Sequence, residues 1–263
     1  MASVELAVPS ADQLGECPLW DGVALWWVDI RGPAIKRFDG KLSTFETPEP
    51  VGSIAFRKGG GLLAAMQTGL FGWNDGRLEL LVESPTPELR FNDGRCDRSG
   101  RHFWVGTLKD PSFDPVGTLY RFSSGELKAE KTGIKVPNST AWSPDGRTMY
   151  FADSPLRTIW AFDYDGAISR QRVFATTEGG FPDGSCVDAD GCLWNAEYGG
   201  SRVVRYTPTG KVDRVIEVPT KNPTCCCFGG ADLRTLYVTA AGGEGVYAVS
   251  PGVAGLREDR FSG

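Results

Sequence analysis

A unit of about 40 residues recurs six times along this chain of 263 residues, and this recurrence restricts the possible folds more than any other feature. Each copy contains a turn with Asp or Gly, a strand of aromatic and branched residues, and a second strand that ends in a further Gly turn. Two clear copies read "DGVALWWVDIRGPAIKRFDG" and "PDGRTMYFADSPLRTIWAFDYDG". The middle of the first strand in each copy is marked by Trp26, Leu63, Trp104, Tyr150, Trp194 and Tyr237, at spacings of 37, 41, 46, 44 and 43 residues.

This period predicts the architecture of the chain. Repeats of about 40–50 residues with four short strands each are typical of the blades of a β-propeller. Almost no segment has a sustained helical period, and 34 glycines and 17 prolines separate the short β-type runs. We therefore predict an all-β fold, a six-bladed β-propeller, with residues 1–263 as a single domain. "VELAV" near the start and "REDRF" near the end are spare strand-like segments that we expect to close the ring in a shared blade.

The charge pattern limits the partners of such a chain. The net charge of −5 comes from 28 basic and 33 acidic residues, with no basic block of the kind that binds nucleic acid or an anionic membrane surface. No run approaches the roughly 18 apolar residues of a membrane span, and the N-terminus lacks the features of a signal peptide. We expect a cytoplasmic protein, a monomer or weak oligomer, that binds a small molecule and neither nucleic acid nor membrane.

The cysteine and histidine content argues against a metal site built from thiolates or imidazoles. The seven cysteines have no zinc-type spacing, and Cys225 to Cys227 would alternate between the faces of a strand. We expect these three thiols to pack as small apolar groups. His102 is the only histidine, and we expect it to face solvent or to pack. A Ser-His-Asp triad would depend on His102 alone.

Polar residues recur with the same period about ten residues before each marker. They are Glu16, Ser53, Asn92, Asn138, Asp183 and Thr224, at spacings of 37, 39, 46, 45 and 41 residues. In a propeller the innermost strand of each blade lines the central channel. The period therefore predicts that these side chains converge at the mouth of that channel.

Two carboxylates in a largely apolar channel would be costly without a compensating charge. Glu16, Asn138 and Asp183 offer hard oxygen ligands with a total charge of −2, which suits one divalent cation, namely Ca²⁺, Mg²⁺ or Mn²⁺, and is acceptable for Zn²⁺ or Fe²⁺. Three protein ligands leave open positions for water and substrate, as in a catalytic site. The alternative is that these residues cap strands and bind channel waters.

Several motifs together resemble one known family. "GECPLWDGVALWWVDI", "RFNDGRCDRSGRHFWVGT", "VPNSTAWSPDGRTMYFADS" and "FPDGSCVDADGCLW" with "CCCFGG" are similar, in order and spacing, to the SMP-30/gluconolactonase/luciferin-regenerating-enzyme family, which includes regucalcin and the sugar lactonases. The resemblance spans essentially the whole chain. It implies a six-bladed propeller with one divalent metal at the top of the channel, and hydrolysis of intramolecular esters of aldonic acids.

The resemblance also implies roles for individual residues. The metal ligands of the family correspond to Glu16, Asn138 and Asp183, and its substrate-binding Arg and Asn correspond to Arg90 and Asn92. These two residues contact hydroxyl and carbonyl oxygens of the substrate in the family.

The chain departs from the family pattern at three places. Cys17 stands where Ser, Gly or Ala is common, Ser139 stands where Gly is common, and Asp110 is the candidate for an acidic sugar-binding residue in the third blade. The exchange at Cys17 is expected to be neutral, whereas Ser139 alters the backbone freedom beside a ligand.

A lactone requires a polarised carbonyl, an activated water and a leaving ring oxygen. Our hypothesis is that the cation supplies Lewis acidity, while Asp183 is both ligand and base, taking the proton of the water and returning it to the leaving alkoxide. Arg90 would add positive charge near the developing oxyanion and Asn92 would orient hydroxyls. Structural alternatives are a surface ion pair for Arg90 and a turn for Asn92.

Three other carboxylates and the tryptophans have less direct roles in this interpretation. Asp29 and Asp153 occur near strand ends, where we expect them to accept hydrogen bonds. Asp93 is ambiguous, because strict alternation points it away from the channel whereas a loop would break that alternation. The tryptophan-rich runs are expected to form the core between blades. The leading function is a metal-dependent lactonase for gluconolactone, xylonolactone or arabinolactone. The alternatives are a metal-dependent esterase or phosphotriesterase and a non-catalytic calcium-binding propeller.

Overall fold

The structure is a computed structural model that describes residues 3–243 and 245–263. In these residues 24 strands form six antiparallel sheets of four strands each. The first three sheets contain β2 (Gly15–Trp20), β3 (Leu25–Asp29), β4 (Ala34–Phe38) and β5 (Leu42–Glu46); β6 (Val51–Phe56), β7 (Leu62–Met66), β8 (Gly69–Asn74) and β9 (Arg77–Glu83); and β10 (Arg90–Cys96), β11 (Phe103–Leu108), β12 (Gly117–Ser123) and β13 (Glu126–Ile134).

The remaining sheets continue the same order. They contain β14 (Pro137–Trp142), β15 (Thr148–Asp153), β16 (Thr158–Tyr164) and β17 (Ile168–Thr176); β18 (Phe181–Val187), β19 (Leu193–Tyr198), β20 (Arg202–Tyr206) and β21 (Val212–Glu217); and β22 (Pro223–Gly229), β23 (Thr235–Ala240), β24 (Gly245–Val249) and β1 (Glu5–Pro9). A short 3-10 helix covers Ser154–Leu156. The predicted six-bladed all-β propeller is confirmed, and the repeat markers lie on the second strand of each blade. No helix in the described parts of the chain is long and apolar enough to cross a membrane.

Burial falls from the inner to the outer strand of each blade. In the second blade every residue of β6 and β7 is buried, whereas β9 is mainly exposed. The inner strands are buried on both faces because each is flanked by neighbouring blades. The three thiols of Cys225 to Cys227 are buried there as predicted, and burial raises the pKa of the Cys225 thiol.

The predicted core role of the tryptophans also agrees with the structure. Trp104, Trp142 and Trp194 are buried in hydrophobic clusters formed between strands of neighbouring blades. His102 lies away from the channel cavity, with its Nδ1 atom 2.8 Å from Oδ2 of Asp97. His102 therefore packs and hydrogen-bonds locally, in agreement with the packing role expected from the sequence.

Closure of the ring uses only one of the two predicted segments. The strand β1, which contains most of "VELAV", pairs with β24 and completes the last blade. The prediction that "REDRF" completes a blade is wrong, because the last sheet already has four strands. Glu258 and Asp259 of this segment pair instead with Arg95 and Arg98, at 2.8 and 2.5 Å. Phe261 is buried in a core cluster beyond them.

An irregularity in every inner strand determines which side chains reach the channel. The pairing of inner and second strand shifts register between Glu16 and Leu19 in the first blade and between Asn138 and Ala141 in the fourth, with equivalent shifts in the other four. Such a bulge interrupts the alternation of side chains. Immediately after Glu16 and Asn138, Cys17 and Ser139 have φ values of +49° and +59°, where Gly is most easily accommodated.

Candidate metal and substrate site

A cavity of about 460 Å³ opens where the inner strands begin. Four of the six periodic polar residues line it, namely Glu16, Asn92, Asn138 and Asp183. Arg31, Arg90 and Ser154 add polar groups, and the remaining walls are formed by Leu14, Phe113, Val136, Pro155, Phe181 and Tyr198. A volume of this size is typical of a small-molecule site.

The other two periodic residues do not reach this cavity. Thr224 is fully buried and its hydroxyl donates a hydrogen bond to the carbonyl oxygen of Gly15. Ser53 is also fully buried, and its Oγ atom has no hydrogen-bond partner in the described structure. The expectation that all six converge on the channel mouth is therefore wrong for these two, because their short side chains end within the packed inner strands.

The two predicted acidic ligands lie together on the cavity wall. Both carboxyl groups are buried and line the same cavity, so the negative charge of Glu16 disfavours ionisation of Asp183. Burial, followed by the charge of Asp93, raises the pKa of Glu16 to about 8. Burial and the charge of Glu16 also raise the pKa of Asp183 well above its ordinary value. The Oδ1 atom of Asp183 is buried without a hydrogen-bond partner in the described residues.

A chain of hydrogen bonds orients the amide ligand. Arg90 Nη1 donates to Asn92 Oδ1 at 2.7 Å, and Asn92 Nδ2 donates to Asn138 Oδ1 at 2.9 Å. Asn138 Nδ2 then donates to Ser154 Oγ at 2.8 Å, and Ser154 Oγ donates to the carbonyl oxygen of Pro182 at 2.7 Å. Because an amide oxygen has two lone pairs, Asn138 Oδ1 keeps one free for a cation.

Arg90 is held at the cavity by a carboxylate. Its Nε atom donates to Asp110 Oδ2 at 2.9 Å, and burial lowers the pKa of the guanidinium while Asp110 opposes that shift. The guanidinium is therefore mostly buried and paired, which excludes the surface ion pair considered as an alternative. Asp110 is not among the residues that line the cavity, so its contact with a substrate stays a prediction, and its observed partner is Arg90.

The backbone beside Asp183 is fixed by two residues from outside its own strand segment. Ser139 Oγ donates to the carbonyl oxygen of Asp183 at 2.7 Å, and Asn195 Nδ2 donates to the same oxygen at 2.8 Å. Gly184 follows, at a point where a Cβ atom would collide with Cys225 of the next blade. The inner strands of these blades can therefore approach closely behind the cavity.

Asp29 and Asp153 accept hydrogen bonds at strand ends, as predicted. The carboxylate of Asp29 accepts from the backbone N–H groups of Gln13 and Leu14, each at 3.0 Å. Asp153 does the same for Lys135 and Val136, at 3.1 and 2.9 Å. Each carboxylate thus anchors the segment that leads into an inner strand. The anchored segments place Glu16 in the first blade and Asn138 in the fourth.

Asp93 is buried against the neighbouring blade and does not line the cavity. The register shift between Phe91 and Gly94 allows Asn92 and Asp93 to be buried together. Asp93 Oδ2 accepts a hydrogen bond from the backbone N–H of Thr140 at 2.7 Å, and burial raises the pKa of the carboxyl. The negative charge of Asp93 therefore adds to the increase in the pKa of Glu16 and of Asp183.

The donor set fits a hard divalent cation. Glu16, Asn138 and Asp183 are buried and supply only oxygen atoms, and the unpartnered Oδ1 of Asp183 lacks the compensation that a buried carboxylate oxygen requires. Within the described residues, no three His, Cys, Asp or Glu side chains form a cluster suited to a metal. The third protein ligand beside the two carboxylates would therefore be the amide oxygen of Asn138. A dication would compensate the negative charge of the two buried carboxylates.

Sequence reasoning did not identify several residues of this site. Ser154 lies in a short 3-10 helix after the second strand of its blade, and Asn195 lies one residue after a repeat marker. Neither position belongs to the periodic set, so the repeat contained no signal for them. Arg31 directly follows "WWVDI", where only Asp29 had been considered.

Comparison with known proteins agrees with the fold and the motifs. The profile of the "SMP-30/Gluconolactonase/LRE-like region" matches residues 14–242. A 6-deoxy-6-sulfogluconolactonase of Pseudomonas putida is 38% identical over 254 residues, covering 91% of this chain and 87% of the relative. An L-arabinolactonase of Azospirillum brasilense is 37% identical over 290 residues, covering 98% and 95%.

A solved structure is similar over nearly its whole length. It is described as the calcium-binding protein regucalcin from Agrobacterium tumefaciens, with a TM-score of 0.94, 28% identity, and coverage of 99% of this chain and 97% of that protein. The chain therefore belongs to the SMP-30/gluconolactonase/luciferin-regenerating-enzyme family, as the sequence motifs indicated.

Proposed function

We propose that this protein is a metal-dependent lactonase that hydrolyses lactones of sugar acids to the open-chain acids. The observation that carries the proposal is the pair of buried carboxyls, Glu16 and Asp183, beside the hydrogen-bonded set of Arg90, Asn92 and Asn138. Relatives named as lactonases of sugar acids support the reaction class. Arg90 and Asn92 line the cavity beside the proposed ligands, which favours a site that also takes a substrate over one that only binds calcium.

The proposed metal ligands are Glu16, Asn138 and Asp183. When bound, the divalent cation supplies Lewis acidity that favours negative charge on the lactone carbonyl oxygen. The relative described as calcium-binding supports Ca²⁺ as one candidate; the oxygen donors also suit Mg²⁺ or Mn²⁺ and are acceptable for Zn²⁺ or Fe²⁺.

The protein's own residues perform the proton transfer and the positioning. Asp183 accepts a proton from a water molecule while the oxygen of that water forms a bond to the carbonyl carbon of the lactone. The bond between that carbon and the ring oxygen then breaks, and Asp183 returns the proton to the leaving alkoxide. Arg90 stabilises the negative charge that develops on the carbonyl oxygen, and Asn92 orients substrate hydroxyls.

The test is acid release from a panel of neutral aldonolactones by chelator-treated protein, before and after addition of each candidate metal. We expect opening well above the spontaneous rate only in the metal-replete protein. Paraoxon and p-nitrophenyl acetate, assayed in parallel, test the phosphotriesterase and esterase alternatives. Metal binding without faster opening of any lactone would disprove the proposal and favour the non-catalytic calcium-binding alternative.

A further inference from the structure

Arg31 is the only basic side chain on the cavity wall, among the described residues, that has no hydrogen-bonded partner. It follows β3 at the rim of the cavity, and 57% of its side chain is exposed. Its Nη2 atom lies 4.0 Å from Asp110 Oδ2, which is an ion-pair contact without a hydrogen bond. The same carboxylate oxygen already accepts a hydrogen bond from Arg90 Nε at 2.9 Å.

Two guanidinium groups therefore share one carboxylate at this side of the cavity. Burial lowers the pKa of Arg90, Asp110 opposes this shift, and the charge of Arg31 lowers the pKa further, so the field of Arg31 reaches the substrate-binding arginine. The trio of Arg31, Arg90 and Asp110 has a net charge of +1 because one carboxylate serves two guanidinium groups. This excess positive charge belongs to the exposed member, Arg31.

Charged groups beside two cavity-lining aromatic residues, Phe113 and Phe181, are already engaged. Lys109 and Asp114 form an ion pair at 3.2 Å, so their charges cancel. The guanidinium of Arg157 lies 4.2 Å from the centre of the Phe181 ring and donates to the carbonyl oxygen of Gly180. The aromatic and aliphatic parts of the wall carry no charge that could compensate Arg31.

We infer that Arg31 is a specificity-determining residue that favours sugar lactones carrying an anionic substituent remote from the ring carbonyl. This inference rests on the proposed lactonase function. Arg31 would donate charge-assisted hydrogen bonds to the oxygens of that substituent, which can be a carboxylate, a sulfonate or a phosphate. Neutral aldonolactones would bind to Arg90, Asn92 and the metal ligands in the same way but without the contact to Arg31.

The test compares hexonolactones that differ only at the terminal carbon. The neutral compound is assayed beside those with a terminal carboxylate, sulfonate or phosphate, and the readout is the ratio of kcat/KM for each anionic lactone to that for the neutral one. We expect a ratio of about ten for at least one anion in the wild type, and the three arms identify which group is preferred. The ratio should decrease as ionic strength rises from about 0.01 to about 0.5 M because Arg31 is exposed.

Variants separate the role of Arg31 from a general effect of charge. Arg31→Gln should lower the ratio about tenfold, mainly through KM of the anionic lactone, and Arg31→Lys should restore part of it. Arg77→Gln is the matched control, because Arg77 is exposed on β9 and does not line the cavity; its ratio should equal that of the wild type.

The outcomes also separate this inference from the lactonase proposal. If neutral lactones are opened well above the spontaneous rate but the kcat/KM ratio is one or less for all three anionic lactones, the role of Arg31 is overturned. The lactonase proposal then stays intact. An unchanged ratio in Arg31→Gln would do the same. If neither neutral nor anionic lactones are opened with any metal, both proposals fail.

Discussion

The Nδ2 atom of Asn92 lies 2.9 Å from the Oδ1 atom of Asn138, and this hydrogen bond joins the inner strands of two neighbouring blades. The Nδ2 atom of Asn138 donates a hydrogen bond to Ser154, so the Oδ1 atom of the same amide faces Asn92. A proposed substrate-binding residue thus orients a proposed metal ligand. Binding of substrate and binding of metal should consequently be coupled at this pair.

Removal of the Ser154 hydroxyl tests the support of the Asn138 amide. Ser154→Ala leaves Asn138 Nδ2 without its acceptor and Pro182 without its side-chain donor. We expect metal affinity to decrease about 10- to 100-fold, as is usual when the outer partner of a metal ligand is lost. Isothermal titration with metal measures the change. Ser169→Ala on the exposed strand β17 is the matched control, and equal affinities in the two variants would contradict the proposed support.

The Asp183→Asn variant separates metal binding from proton transfer. The amide retains an oxygen ligand but cannot accept the proton of the attacking water. We expect turnover to decrease by about 10³-fold or more, with metal affinity reduced much less. Steady-state kinetics at saturating metal, together with the metal content of the purified variant, provide the measurement. Turnover within about tenfold of the wild type would exclude Asp183 as the base.

Metal affinity should increase with pH up to about pH 8. The pKa of Glu16 is raised from 4.5 to about 8 in the metal-free protein by burial and by Asp93, and the pKa of Asp183 is raised in the same direction. Below pH 8 a metal must therefore displace a proton, so affinity should increase about tenfold per pH unit for each proton released. Titration in buffers of different ionisation enthalpy counts the protons.

The same shift changes the stability of the metal-free protein. Because the folded pKa of Glu16 exceeds the unfolded value, its protonated form stabilises the fold fully below about pH 4.5, and this contribution is lost as the pH rises to about 8. Added metal should consequently raise the melting temperature more at pH 8 than at pH 5.5. Glu16→Gln, which does not titrate, is the control, and an equally steep pH dependence in that variant would contradict the assignment.

The C-terminal segment should stabilise the propeller through Phe261. Its ring is 1% exposed and its centroid lies 5.4 Å from that of Phe122. Phe261→Ala should reduce the free energy of unfolding by about 3–5 kcal/mol, measured by urea denaturation. Phe113→Ala, at an exposed position, should change it by less than about 1 kcal/mol. A similar small loss in both variants would show that the segment only rests on the surface.

The blade number and the inner-strand positions were predictable because both follow from one period. Each blade buries the same face against its neighbours, so apolar strands and polar strand starts recur with that spacing. The prediction for "REDRF" was wrong because β1 already completes the last sheet. Its acidic residues bind Arg95 and Arg98 instead, which are about 160 positions away in sequence.

Asp93 shows a second limit of pattern reasoning. Alternation and a loop predict different positions for it, and in the structure the bulge in β10 leaves both Asn92 and Asp93 buried. Bulges depend on how closely neighbouring strands must approach, and the sequence of one strand does not express that distance. The unassigned roles of Ser154 and Arg31 have the same origin, since each depends on a partner in another blade or loop.

The sequence by itself determined the six-bladed all-β architecture and the candidates Glu16, Arg90, Asn92, Asn138 and Asp183, because local strand patterns and their spacing are properties of the chain alone. The tertiary structure decided which periodic residues face the cavity and which partners they have. It brought Asn92 to Asn138 and Ser139 to the Asp183 carbonyl, pairs separated by more than 40 residues. Such contacts depend on the packing distance between blades, which only the closed ring defines.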